Sequence, residues 1–427
     1  METASPDRGV VRSLAERVAE IAALPEQNEK RELWRRLNQL DSVRPMVHIY
    51  QTPWSEIALD AADALALRCE DGFCRGVERQ LRQMIYQWEN FPGDMVVEPV
   101  FRQEPVLRGD DFGVRVQEDT IPQRGFRAVE SSILSHDYHA QIKHEGDVEK
   151  IGIPEITCDE AQTRAQTQVL EDAFDGLLRV VTGLRFGRCN IAPWDRLVQW
   201  TGVQPVLLDI AVRPEYVHAL MERLTRAYEA RLDQYEALGI LALNNTNDIV
   251  GQGGLGYTDE LPGDGFDPEH IGYGDLWGGG MAQIFSAVSP DAHREFALHY
   301  EARCLRRFAL VYYGCCEPLH LKVDVTREML PNVRKISMSP TADAEVAARA
   351  VGDTLVYSAK PNPAHVATDE WQPDLVRDEL RGILEVTARQ GCHVELILKD
   401  ISTVRCEPRR LTEWSAIAVE VAEAYSR

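Results

Sequence analysis

Five times in its second half this chain sets down a short apolar run that ends in polar residues and then an amphipathic helix, and few folds accept that rhythm. The runs are "ILALNNTND" (240–248), "FALVYYGCCE" (308–317), "VRKISMSP" (333–340), "DTLVYSAKPNPA" (353–364) and "HVELILKDIST" (393–403). Between and after them lie "AHREFALHYEARCLRRF", "TADAEVAARAVG", "PDLVRDELRGILEVTARQG" and "EPRRLTEWSAIAVEVAEAYSR", with apolar residues at helical spacing. Strands alternating with helices call for a parallel sheet covered by helices. "RPMVHIY" (44–50), a run within 94–101 and "LLRVV" bring the strands to about eight, the number of a closed (β/α)8 barrel. A doubly wound open sheet is the alternative to the barrel. The expected architecture is a single TIM-type barrel over 44–427, preceded by a helical extension over 1–43 and interrupted by excursions at 102–150 and 251–280.

Composition narrows the partners. Of 427 residues 44% are hydrophobic and 27% charged, as in a globular protein with a substantial core. A net charge of -22 opposes binding to a phosphate backbone, so nucleic acid is not expected. No apolar run is long enough to span a bilayer, and "METASPDRGVVRSLAERV" lacks the apolar stretch of a signal peptide. Nine cysteines, an odd number without paired spacing, do not outline a disulfide framework. A cytoplasmic enzyme with a small-molecule substrate is expected, as a monomer or homodimer.

Barrel enzymes place their chemistry at the C-terminal strand ends. Here these carry His48; Asn244, Asn245, Asn247 and Asp248; Cys315, Cys316 and Glu317; Ser337 and Ser339; Lys360 and Asn362; Lys399 and Asp400. Asp248, Glu317, Lys360 and Asp400 are the candidate acid–base groups, and His48, Asn245, Asn247 and Asn362 the candidate substrate contacts. Each has a plainer reading: Asn, Asp and Ser at strand ends cap helices and close turns, and a lysine there can simply reach solvent. Asp400 is placed to pair with a lysine or to hold a histidine in position. Cys315 and Cys316 point to opposite faces if the strand continues through them and to one side if it has ended, as Pro318 suggests. They are either buried packing or working thiols, as nucleophile or as metal ligands. His320, four residues beyond Cys316, reaches the same metal if the loop turns helical. The glycine-rich 251–280 has no lysine and many acids, so it reads as a cover over the barrel mouth with Trp277 and Tyr273 as an aromatic wall, or as a surface that packs on a second subunit.

The stretch "IAPWDRLVQWTGVQPVLLDIAVRPEYVHALMERLTRAYEARLDQYEALGI", then "NTND" and "VSPDAHREFALHYEARCLRRF", resembles the uroporphyrinogen decarboxylase superfamily over roughly 190–427. That resemblance implies a (β/α)8 barrel and one of two chemistries. The decarboxylating branch grips a tetrapyrrole through an arginine-bearing N-terminal motif, which "HIYQTPW" and "EPVF" lack. The other branch holds zinc at a His-x-Cys strand end and moves methyl groups to or from a corrinoid protein. Its Cys position falls on Cys315 or Cys316, but its His position falls on Tyr313 or Gly314, and its later Cys position near Ile401 or Ser402. A rebuilt zinc site would draw on Cys315, Cys316 and His320, with Glu317 or His48. The resulting expectation is a zinc- or thiolate-assisted methyltransferase working with a corrinoid. A metal-free carboxy-lyase and a silent corrinoid- or tetrapyrrole-binding protein are the alternatives.

Overall fold

The computed structural model describes residues 6–121 and 135–426, and in them the apolar runs do form a parallel sheet. Its strands are β1 (Met46–Ile49), β2 (Asn190–Ile191), β3 (Trp277–Gly280), β4 (Leu310–Tyr313), β5 (Val333–Met338), β6 (Val356–Ala359) and β7 (His393–Leu398). Their spatial order is β1-β7-β6-β5-β4-β3-β2, so the last strand lies beside the first, with Met46 opposite Glu395 and Ile49 opposite Leu398. Helices Val323–Met329, Ala344–Val351 and Pro373–Arg389 make the crossovers from β4 to β7. Local chemistry sets their ends. Asp343 accepts from Val346 N at one start, Gly352 at φ 56° ends that helix, and Pro373 opens the next. Among the described residues no helix is long and apolar enough to cross a membrane.

The ladder does not close into the expected eight-stranded barrel: among the described residues the sheet ends at β1 and β2. Val100–Gln103 and Arg179–Thr182 pair only with each other, and 240–244 forms no strand. Single bonds span the gap instead. Asp94 N donates to Val47 O at 2.8 Å, Leu184 N to Ile240 O at 2.9 Å, and the Asn244 carboxamide bonds both Trp277 N and Trp277 O at 2.9 Å. A run of short amide side chains competes with backbone pairing, so a side chain makes the contact that a strand would have made.

Alternation sorts the two faces of the sheet. Val47, Val311, Ile336 and Leu396 pack outward under the helices in the main core. Inward lie Met46, Ile397 and Val356, which pack with Trp34 and Leu37 of a helix over Glu26–Asn38 and with Leu255. That N-terminal helix therefore belongs to the interior, with Trp34 fully buried.

Residues 253–258 of the glycine-rich segment are also interior and do not cover the mouth, while 267–270 are exposed. A Cβ on Gly251, at φ +68°, would stand 2.1 Å from the Tyr312 ring, and one on Gly254 would stand 2.7 Å from the Glu395 carboxylate. Only glycine lets the backbone approach so closely. Trp277 sits in β3, fully buried, its indole donating to Gly256 O at 2.9 Å, and Tyr273 donates its hydroxyl to Leu232 O. Neither forms an aromatic wall for a ligand. Of the 102–150 excursion, Glu118–Ile121 and Ser135–Tyr138 make an antiparallel pair, and residues 122–134 lie outside the described residues.

Candidate active site

β4 runs out at Gly314, whose φ of +97° turns the chain away from the sheet just before the two cysteines. The turn is pinned: Cys315 N donates to Glu317 Oε2 and Ser337 Oγ donates to Cys315 O, both at 2.9 Å. Because the strand has ended, the two side chains share a side, with their sulfurs 3.4 Å apart. Cys315 is buried and Cys316 exposed.

Lys399, buried just past the end of β7, places Nζ 3.2 Å from Cys315 Sγ, 3.5 Å from Cys316 Sγ and 2.8 Å from Asp400 Oδ2. Asp400 Oδ2 is in turn 3.3 Å from Cys316 Sγ, and Asp400 N donates to Gln51 Oε1. β7 and β4 are three places apart in the sheet, about 14 Å if it were flat at about 4.8 Å per strand. A lysine can meet those thiols only because the sheet curls strongly.

The hydrogen bond from Cys315 lowers the Cys316 thiol below the ordinary range, and Lys399 helps it. The same bond, with burial, pushes Cys315 up. Of the pair, Cys316 is therefore the thiol that loses its proton first. Burial alone would discharge Lys399, but the two sulfurs and Asp400 outweigh it and keep the ammonium charged.

Beneath this cluster runs a fully buried polar chain. Lys360 Nζ donates to Ser358 Oγ, Ser358 Oγ to Glu395 Oε1 at 2.5 Å, and Lys335 Nζ to Glu395 Oε2 at 2.8 Å. Burial brings Lys360 down to about 7, so it gives up its proton far more readily than a free lysine.

Two clefts of about 410 and 380 Å³ share Tyr50, Arg185 and Ile249. His48, Gln51 and Asn247 line the first; Asp248, Asn190 and Gln252 line the second. Gln252 Oε1 lies 3.5 Å from Lys399 Nζ, which links the second cleft to the thiols. Arg102 pairs with Asp248 at 2.7 Å, and burial still raises Asp248 to about 6.

The other expected residues scatter. Glu317 is fully buried and holds backbone, accepting from Cys315 N and Ala282 N. Asn245 ties Leu261 O, Asn247 donates to Val96 O, and Asn362 caps Ala364 N, the plainer role. His48 bonds Gly253 O at 2.7 Å through Nδ1. His320 lines an outer cleft with Asp324, Arg327 and Arg349, away from the cysteines. Arg185 and Arg102 were not foreseen, because each lies just past an expected strand end.

The donors do not suit zinc. Among the described residues no group of three His, Cys, Asp or Glu side chains could hold a metal ion. A zinc site needs at least three such donors, and here a buried ammonium already supplies the positive charge beside both sulfurs.

No family model matches the chain, and no curated protein matches it. Among solved structures, a methyltransferase from Methanosarcina mazei is similar at 12% identity and a TM-score of 0.49, covering 91% of this chain and 97% of that one.

Proposed function

We propose that the chain is a thiolate-assisted methyltransferase whose reacting atom is Cys316 Sγ. One observation carries this reading: a single buried ammonium, Lys399, lies within 3.5 Å of both sulfurs of a strand-end pair. A thiolate is the nucleophile in thiol chemistry, and an adjacent cation keeps it in that form near neutral pH. The donor enters by the cleft of Asp248 and Gln252. Cys316 Sγ attacks the methyl carbon, the S–C bond forms, and the donor leaves with the electron pair of the broken bond. Asp400 and Gln51 hold the β7 end so that Lys399 faces the sulfur. A corrinoid protein is the donor that the sequence resemblance implies, and its reduced corrinoid is a strong enough nucleophile to take the methyl group back. The single bonds that span the open side of the sheet let it serve as a barrel-like mouth for this reaction.

The test is methylcobalamin with purified protein, followed by release of the reduced corrinoid and by a methyl adduct on peptide 315–316. Wild type should acquire the adduct and Cys316→Ser should not; an adduct elsewhere, or none, rejects the reading. Metal analysis of the same sample checks the zinc expectation separately.

A carboxy-lyase is the second reading, favoured by Lys360, which burial lowers to about 7, and by Arg185, which lines the same cleft as Asp248. It would bind a substrate carboxylate at Arg185 and use Lys360 as proton donor. Carbon dioxide release that survives Cys316→Ser but not Lys360→Gln would select it.

A further inference from the structure

We propose that Cys315 and Cys316 form a redox-active vicinal dithiol that a hydroperoxide closes to a disulfide. Adjacent cysteines on an extended strand point apart, yet here the sulfurs are 3.4 Å from each other, with Cys316 exposed to an oxidant and Cys315 buried behind it. A disulfide needs about 2.0 Å, so an approach of little more than an ångström closes the bond. Lys399 lies 3.2 and 3.5 Å from the two sulfurs.

The steps balance. Cys316 thiolate attacks the terminal peroxide oxygen; the S–O bond forms, the O–O bond breaks, and the departing oxygen leaves as water or alcohol with one proton. Cys315 then attacks the Cys316 sulfur; the S–S bond forms, the S–O bond breaks, and a second water leaves with the Cys315 proton. The dithiol gives two electrons and the peroxide takes them. The Lys399 ammonium, 3.5 Å from Cys316 Sγ, is placed to pass a proton to the leaving oxygen and regains one from solvent. Ser337 resists closure, because its bond to Cys315 O holds the peptide that must twist. The ring is strained, and strained disulfides are the readily reduced ones, so a dithiol reductant should reopen it.

The inference stands on the sulfur geometry and holds whether or not methyl transfer does. The experiment treats reduced full-length protein with hydrogen peroxide, without any methyl donor, and maps peptide 315–316 by mass spectrometry. Wild type should lose about 2 Da on that peptide, restored by dithiothreitol. Cys315→Ser should stop at a sulfenic acid on Cys316 that dimedone traps, and Cys316→Ser should give neither product. Wild type that overoxidises at Cys316 at the same rate as Cys315→Ser, or that links either cysteine to one of the other seven, overturns the proposal. Native circular dichroism of each variant separates loss of chemistry from loss of fold.

Discussion

The polar groups on and around β4 form two assemblies that settle their charges in opposite ways. At the strand end, Cys316 and Lys399 each favour the charged form because they face one another, with Asp400 paired to the lysine. Behind the strand, Tyr313 donates to Glu301 Oε2 at 2.7 Å and lies 2.8 Å from His293 Nε2, all fully buried. There burial dominates. It raises Glu301 well above the carboxylate range despite the Tyr313 bond, lifts Asp195 to about 6 and drops His293 to about 3. Burial therefore favours the uncharged forms of the sealed groups, while pairing favours the charged forms of Cys316 and Lys399. Glu317 joins them, holding Cys315 N on one side and Ala282 N on the other. The lesson is that one strand supplies a reactive centre and the rigid support behind it, and that the sign of the burial effect tells which is which.

The comparison breaks most sharply at Lys399. Lys399→Met should slow alkylation of Cys316 at pH 7 by about 100-fold, or about 2.7 kcal/mol, measured by iodoacetamide kinetics. Unchanged reactivity would mean that the cation does not set the thiolate. On the other side, Tyr313→Phe should cost about 2 kcal/mol in urea unfolding, since Glu301 and His293 lose the hydroxyl between them, and leave Cys316 kinetics as they were. A parallel fall in reactivity would show that the two assemblies are one.

The pH dependence follows from the direction of the Glu301 shift. A raised folded pKa means that the native state keeps its proton after the unfolded chain has lost it. Stability from Glu301 is thus full below about 4.5 and declines as pH rises toward the folded value. Wild type should lose up to about 1.4 kcal/mol per pH unit above 5 relative to Glu301→Gln, measured by urea melts at pH 5, 6 and 7. Parallel curves would place the carboxylate charged in the native state. The smallest effect is at Ser337: Ser337→Ala frees the Cys315 carbonyl and should speed disulfide closure about threefold, as fits a hydrogen bond of about 0.7 kcal/mol.

Much of the fold was legible because strand and helix signals are local. The five runs became β4 to β7 and the 240–248 segment, and the strand-end rule picked out Cys315, Cys316, Lys399 and Asp400. The same rule overreached at Asn362 and Glu317, whose polar groups serve backbone at the turn itself. His320 failed because four residues of spacing guarantee proximity only in a helix, and residues 314–320 turn instead. The 251–254 glycines were misread because a glycine run looks alike whether it moves in solvent or fits under a tyrosine ring. Trp277 went with them, since the other three residues of its four-residue strand are glycines, which carry no strand signal.

The sequence alone determined that short parallel strands alternate with helices and that thiols and charges gather at strand ends, because alternation and residue type act within a few residues. Only the tertiary structure decided that Lys399 meets Cys315 across 84 residues, since that contact depends on how far a sheet curls over three strands. It also decided where the ladder stops. Closure depends on the register of distant segments, and at Asn244 a side chain took the place of a strand.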